Sequence, residues 1–229
     1  KFGMTSKKEL LQKYQKKSDV EHILSRPDSY VGSAKPQEQE RWLWCDKTGR
    51  INWHKLELVP ALLKIFDEVL VNACDHTKDV ANKVKNISVT VDKKSGEIAV
   101  TNDGIGFPVV KHPEYKVYIP DLLMGYLRTS TNYDDDQKKI TGGRNGFGAK
   151  LTNLFSLEFS VITAYKNKIY KRTWYDNMSR KSDEEITACS AKEAKEIGTT
   201  IRFTPDYKRL GIKGLTDDII ALMHRRVLD

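Results

Sequence analysis

Strand-like runs in this sequence come in pairs joined by very short connections. "NISVTVD" and "GEIAVTND" flank Lys93–Gly96, and "RWLWCDKTGRINWHKLEL" divides at Thr48-Gly49 into two runs. So short a connection joins only antiparallel neighbours, because a parallel pair needs a crossover of about a dozen residues. Further strands read at 157–164, 167–174, 184–189 and 197–204. Helices are interleaved with them. "SDVEHIL" opens one, with Ser18 and Glu21 in capping-box spacing, and "RPDSYVGS" closes it in a turn. "IPDLLMGYLR" is a short helix around Pro120, and "GLTDDIIALMHRRVLD" is a helix with its N-cap at Thr216. Residues 58–77 are the strongest helix: Val59, Leu62, Phe66, Leu70 and Ala73 recur at helical spacing and make one apolar face. Residues 107–118 are loop, and 129–148 are a long polar loop containing glycines. The layout predicts an α+β fold, a two-layer sandwich. Its sheet is mixed but mostly antiparallel, with helices on one face, rather than doubly wound and parallel.

Charge narrows the partners. The 229 residues carry 39 basic and 31 acidic side chains, a formal +8, which suits a polyanionic neighbour such as a nucleotide or nucleic acid, or simply a lysine-rich surface. Cys45, Cys74 and Cys189 are far apart with no C-x-x-C pair, against zinc or a disulfide framework and in keeping with a reducing compartment. The most apolar stretch, "LVPALLKIFDEVLVNAC", is broken by Lys64, Asp67 and Glu68, so no membrane-spanning helix is expected. Residues 1–17 read as a lysine-rich arm and 18–229 as the folded domain. The chain opens on Lys1 and its last helix has no C-cap, so it reads as part of a longer protein.

Behind the apolar face of the long helix, Glu68, Asn72, Asp75 and Asp79 fall on one stripe. Four residues after Glu68 stands Asn72, and four after Asp75 stands Asp79, where a solvated face would usually offer a cation. Taken alone, the stripe is equally a solvated face. "TNDGIGFP" places Asn102 and Asp103 at a strand end, where an amide or carboxylate can read a base edge. Gly104 and Gly106 follow, a spacing that lets backbone approach a ligand or simply makes a turn. Ser130, Thr131 and Asn132 supply hydroxyls and an amide. "TGGRNGFGAK" supplies backbone N–H groups, the positive end of a helix starting near Gly148, and the charge of Lys150. It is not a P-loop, since Ala149 stands where that motif needs lysine.

In this order, the acid–amide helix, N-D-G-x-G, hydroxyl cluster and glycine lid resemble the Bergerat ATP-binding fold of gyrase, the ninety-kilodalton heat-shock chaperones, histidine kinases and MutL. "KIFDEVLVNACDH", "NDGIGFPVV", "TSTNYDDDQKKITGGRNGFGAKL" and "GTTIRFTPDY" are similar to one branch, the ATPase domains of eukaryotic-type DNA topoisomerase II. The resemblance runs from about Tyr14 to the end. It implies ATP and Mg²⁺ as ligands, with Glu68 as general base and Asn72 giving an oxygen to the metal. Asp75 and His76 continue that helix wall, and His76 reads as a helix-end residue rather than a metal ligand. Asn102, Gly104 and Gly106 would take adenine, and Ser130, Thr131 and Asn132 the ribose and phosphate. Gly143, Arg144, Asn145, Gly146, Phe147, Gly148, Ala149 and Lys150 would form a lid over the triphosphate. Tyr14 would reach a partner's nucleotide as the arm closes a homodimer. The resemblance further implies passage of double-stranded DNA by the whole enzyme, a nuclear location and slow turnover by this chain alone. Cys74, His76 and Asp79 depart from the family's usual alanine, asparagine and basic residue. A second reading of the same fold is a nucleotide-controlled clamp of the MutL or chaperone type.

Overall fold

A computed structural model describes residues 19–127 and 148–229. The chain runs through α1 (Asp19–Ser25), a 3-10 turn at Pro27–Ser29, and the hairpin β1 (Gln37–Cys45) and β2 (Arg50–Leu58). Helix α2 (Pro60–Thr77) follows, then a 3-10 turn at Val80–Asn82 and the hairpin β3 (Ile87–Asp92) and β4 (Glu97–Asn102). Next come α3 (Ile119–Gly125), α4 (Gly148–Leu154), β5 (Ser156–Tyr165) and β6 (Lys168–Tyr175). The chain ends with β7 (Arg180–Lys181), β8 (Glu185–Ala188), α5 (Ala191–Ile197), β9 (Thr199–Pro205) and α6 (Asp217–Leu228).

The main sheet has seven strands in the order β3-β4-β9-β5-β6-β7, with β8 also paired to β6. Every pairing among the described strands is antiparallel, in keeping with the mostly antiparallel sheet expected. The β1–β2 hairpin is not part of it: it forms a two-stranded sheet of its own and packs Leu43, Leu56 and Leu58 against Leu222 of α6.

Register turns the inner face of the main sheet into three rows. Val91, Ile98, Phe203, Phe159 and Trp174 make the first, and Val89, Val100, Ile201, Val161 and Arg172 the second. The third is Ile87, Asn102, Thr199, Thr163 and Tyr170. Two rows are thus mainly apolar, while the last places three polar side chains side by side. On the opposite face Ser88, Thr90, Asp92 and Arg202 are exposed, whereas Ala99, Ser160 and Thr173 are buried.

Helix α2 covers the apolar rows. All five residues expected on its buried face are buried, joined by Ala61, Ile65 and Val69. Full burial of each leucine or phenylalanine contributes about 1.5–3 kcal/mol. Pro60 opens the helix at a position whose N–H would be unpaired in any case. Helix α4 is stitched beside it: Thr152 donates its hydroxyl to Ile65 O at 2.8 Å, and Asn153 donates its amide to Met124 O of α3 at 2.9 Å. The expected N-cap of α6 is present, with Thr216 accepting the Ile219 N–H at 3.2 Å. Helix α5 was not expected. Ser190 and Glu193 cap it reciprocally, and none of its residues is buried, so it leaves no apolar period in the sequence.

Candidate functional site

The candidate site residues come from α2, the start of α4 and the polar row of the sheet. Glu68 is on the flank of α2 and its side chain is 22% exposed. Gly148, the first residue of α4, packs directly on it: a Cβ added there would overlap the Glu68 carboxylate. Only a glycine lets the backbone come this close. Asn72, one turn further along α2, is exposed. Asp75 follows on the same flank, but Asp79 does not. The helix ends at Thr77, and Asp79 instead accepts the Ala81 N–H at 2.9 Å to cap the following 3-10 turn. The acids are also less isolated than the sequence implied, since Glu68 pairs with Lys64, four residues before it, and Asp75 with Lys78.

Lys150, in the first turn of α4, is half-buried, and that burial alone lowers its amine pKa. A cation stripped of water without a carboxylate among the described residues to oppose it is suited to receiving an anion. Ala149 beside it is buried in the core.

The N-D-G-I-G loop is held by the protein's own chain. Asp103 turns away from the site. Burial opposes its ionisation, but N–H groups from Asn86 and Lys85 outweigh that and hold its carboxyl below the usual range. Asn102 is therefore the residue facing inward. It is buried, and its Oδ1 accepts the Gly104 N–H at 3.3 Å, which leaves a second lone pair for another donor. Gly104 and Gly106 are packed closely against the protein itself. A Cβ at Gly104 would overlap Val84, and one at Gly106 would overlap Thr163 and Ala164. His76 likewise has both ring nitrogens engaged, one with Ile105 O at 2.8 Å and one with Asn82 at 3.2 Å.

The sequence reading missed two hydroxyls. Thr199 sits opposite Asn102 in the sheet, and its Oγ1 lies 2.8 Å from that of Thr163, which accepts the Phe107 N–H at 2.9 Å. The signal was the cross-strand register, which pairs residues almost a hundred positions apart and leaves no local trace. Tyr14, Ser130, Thr131, Asn132, Gly143, Arg144, Asn145, Gly146 and Phe147 lie outside the described residues. Among the described residues no His, Cys, Asp and Glu cluster could hold a metal alone, and no helix is long and apolar enough to cross a membrane.

A sequence model of the histidine kinase-, DNA gyrase B- and HSP90-like ATPases matches residues 58–209, which contain every site element just described. The chain belongs to this ATPase family. Within it, the chain is 46% identical over 220 residues to DNA topoisomerase 2 of Penicillium chrysogenum, covering 95% of this chain and 14% of that protein. It is 47% identical over 218 residues to DNA topoisomerase 2-alpha of Mus musculus, covering 94% of this chain and 14% of that protein. The chain therefore spans about one seventh of the length of these relatives. The crystal structure of the ATPase region of Saccharomyces cerevisiae topoisomerase II superposes with a TM-score of 0.84 at 44% identity, covering 94% of this chain and 57% of that one. The 43K ATPase domain of Thermus thermophilus gyrase B shares the fold, with a TM-score of 0.63 at 19% identity, 91% of this chain and 44% of that one. As in those ATPase domains, the architecture is α+β with antiparallel sheets and helices.

Proposed function

We propose that this ATPase-family chain binds Mg-ATP between α2, the Asn102 loop and α4, and is the ATP-driven gate of a type II DNA topoisomerase. The observation that carries the reading is the seating of Gly148 on the Glu68 carboxylate, with desolvated Lys150 two residues on. This supports a reading in which Glu68 is the general base and Lys150, two residues beyond the glycine packed on it, is the cation that meets phosphate. Asn102 and Thr199 would take the adenine edge, where an acceptor for the exocyclic amine and a hydroxyl stand in register. Lys150 would neutralise phosphate oxygens. Glu68 would orient the attacking water and accept its proton at the carboxylate, as water adds to the γ-phosphorus and ADP leaves. Lys64 pairs with the Glu68 carboxylate from the preceding turn.

The residues present fit magnesium as a substrate-borne ion. Asn72 offers one exposed neutral oxygen on the same flank, and this ion keeps few protein ligands when phosphates and water fill its shell. When bound, it supplies Lewis-acid neutralisation of the phosphate oxygens. In the whole protein, nucleotide would close a homodimer through residues 1–17, with Tyr14 near the partner's nucleotide, and drive one DNA duplex through another in the nucleus. Ser130, Thr131, Asn132 and the 143–147 segment would complete the phosphate contacts. The similarity to topoisomerase 2 relatives over nearly all of this chain supports this reading over a MutL- or chaperone-type clamp.

The test is Glu68→Gln. The variant chain is expected to bind a non-hydrolysable Mg-ATP analogue with wild-type affinity by calorimetry, while turnover by the full-length protein falls at least ~10²-fold. Wild-type turnover in that variant, or no analogue binding by the wild-type chain, would refute the assignment.

A further inference from the structure

We propose that His76 is a positioning residue that locks the Asn102 loop onto the helix carrying Glu68, an inference that rests on the nucleotide-binding reading above. His76 stands on the last turn of α2, two turns beyond Glu68. Its Nε2 lies 2.8 Å from Ile105 O. A carbonyl only accepts, so Nε2 carries the proton. Its Nδ1 lies 3.2 Å from Asn82 Nδ2, and that same amide nitrogen lies 3.0 Å from the His76 carbonyl oxygen. The opposite orientation of Asn82 would set its oxygen against this carbonyl, so the amide donates and Nδ1 accepts. His76 is therefore a neutral imidazole in the Nε2–H tautomer, with neither nitrogen left for a metal or phosphate.

The grip on the loop is two-sided. Ile105 gives its carbonyl to His76 and its N–H to Asn82 O at 2.7 Å. Its side chain is 41% exposed and supplies little apolar anchorage, so these polar contacts fix the backbone at this point. Asp103, two residues earlier, is tied to Lys85 and Asn86 on the segment that follows the same turn. The loop residues between Asn102 and Gly106 thus take their place from the end of α2. A shift at His76 moves the base-reading side of the cleft relative to Glu68 and Asn72.

The experiment compares the wild-type chain with His76→Ala, His76→Asn and His76→Gln. Glutamine places a donor nitrogen where Nε2 stands, whereas asparagine reaches only as far as Nδ1. Hydrogen exchange at the Ile105 amide reads the brace without nucleotide, with the β4–β9 amides as the control for folding. Exchange is expected to be slow in wild type and His76→Gln and fast in His76→Ala and His76→Asn. Nitrogen NMR is expected to show the Nε2–H tautomer in wild type. Non-hydrolysable ATP and GTP analogues read the function: Ala and Asn weaken ATP-analogue binding about 3- to 10-fold, the equivalent of one hydrogen bond, and narrow the preference for adenine over guanine. Glutamine restores most of both. Unchanged exchange at Ile105, the Nδ1–H tautomer, or equal losses for both bases overturns the positioning role. If exchange shows the brace but the wild-type chain binds no adenine nucleotide, the nucleotide-site reading fails and the functional role assigned to His76 falls with it, while the brace stands.

Discussion

At Gly148 the chain can carry no side chain, because the Glu68 carboxylate occupies the space a Cβ would take. Gly148→Ala therefore forces the carboxylate or the start of α4 to move. Displacing a catalytic group by about an ångström costs ~10²-fold in rate, so turnover by the full-length Gly148→Ala protein is expected to fall by that order. Its melting temperature, measured alongside, is expected to change far less. Glu68 and Asn72 were legible in the sequence because helical spacing alone puts them on one side. What local spacing hides is what comes from elsewhere. Thr199 reaches Asn102 only through strand pairing, and the crowding of Gly104 and Gly106 by Val84, Thr163 and Ala164 comes from distant segments. His76 could be read as helix-end from its position, but its partners at Asn82 and Ile105 could not.

Among the elements, α4 depends most on polar stitching. Its Thr152 hydroxyl is fully buried and donates to the Ile65 carbonyl of α2. Thr152→Val keeps the shape and removes the donor, so a loss of about 1 kcal/mol is expected, read as a lower urea midpoint at unchanged slope. The same variant loosens the packing of α4, whose Gly148 sits on Glu68, and weaker analogue binding should accompany it. The long helix, both hairpins and the capped C-terminal helix were readable because each carries its own period or cap. Helix α5 was not, although its Ser190–Glu193 capping box is present in the sequence. A single exposed box without an apolar stripe reads as a turn. The two-residue β7 is too short to carry any period.

At the scale of the whole molecule, a buried ionic cluster ties the sheet to α3. Arg172 ends the second row of the sheet and donates to Asp121 of α3 at 2.9 Å, with both side chains buried; Glu184 lies 3.1 Å from the same guanidinium. Nearby Tyr170 has its hydroxyl pKa pushed up to about 12, chiefly by burial and then by the charge of Asp121. Asp121→Asn leaves a buried guanidinium short of one carboxylate and is expected to destabilise the chain by about 3 kcal/mol in urea unfolding. The double change Asp121→Leu with Arg172→Met should recover part of that loss, because no buried charge is then stranded and the partners it releases, Glu184 and Lys181, are partly exposed. The antiparallel character of the sheet was legible from the hairpins, whereas its strand order was not, since β9 inserts between β4 and β5 from far along the chain. That insertion has a consequence for assembly. Asn102, Thr199 and Thr163 share a side only when three strands have zipped in one alignment, and a slip by a single position would present Thr200 beside Asn102 from the wrong side of the pleat. If Asn102 and Thr199 take adenine as proposed, a mis-zipped molecule would fail to bind it, and titrating a preparation with nucleotide would count the molecules with β9 in register.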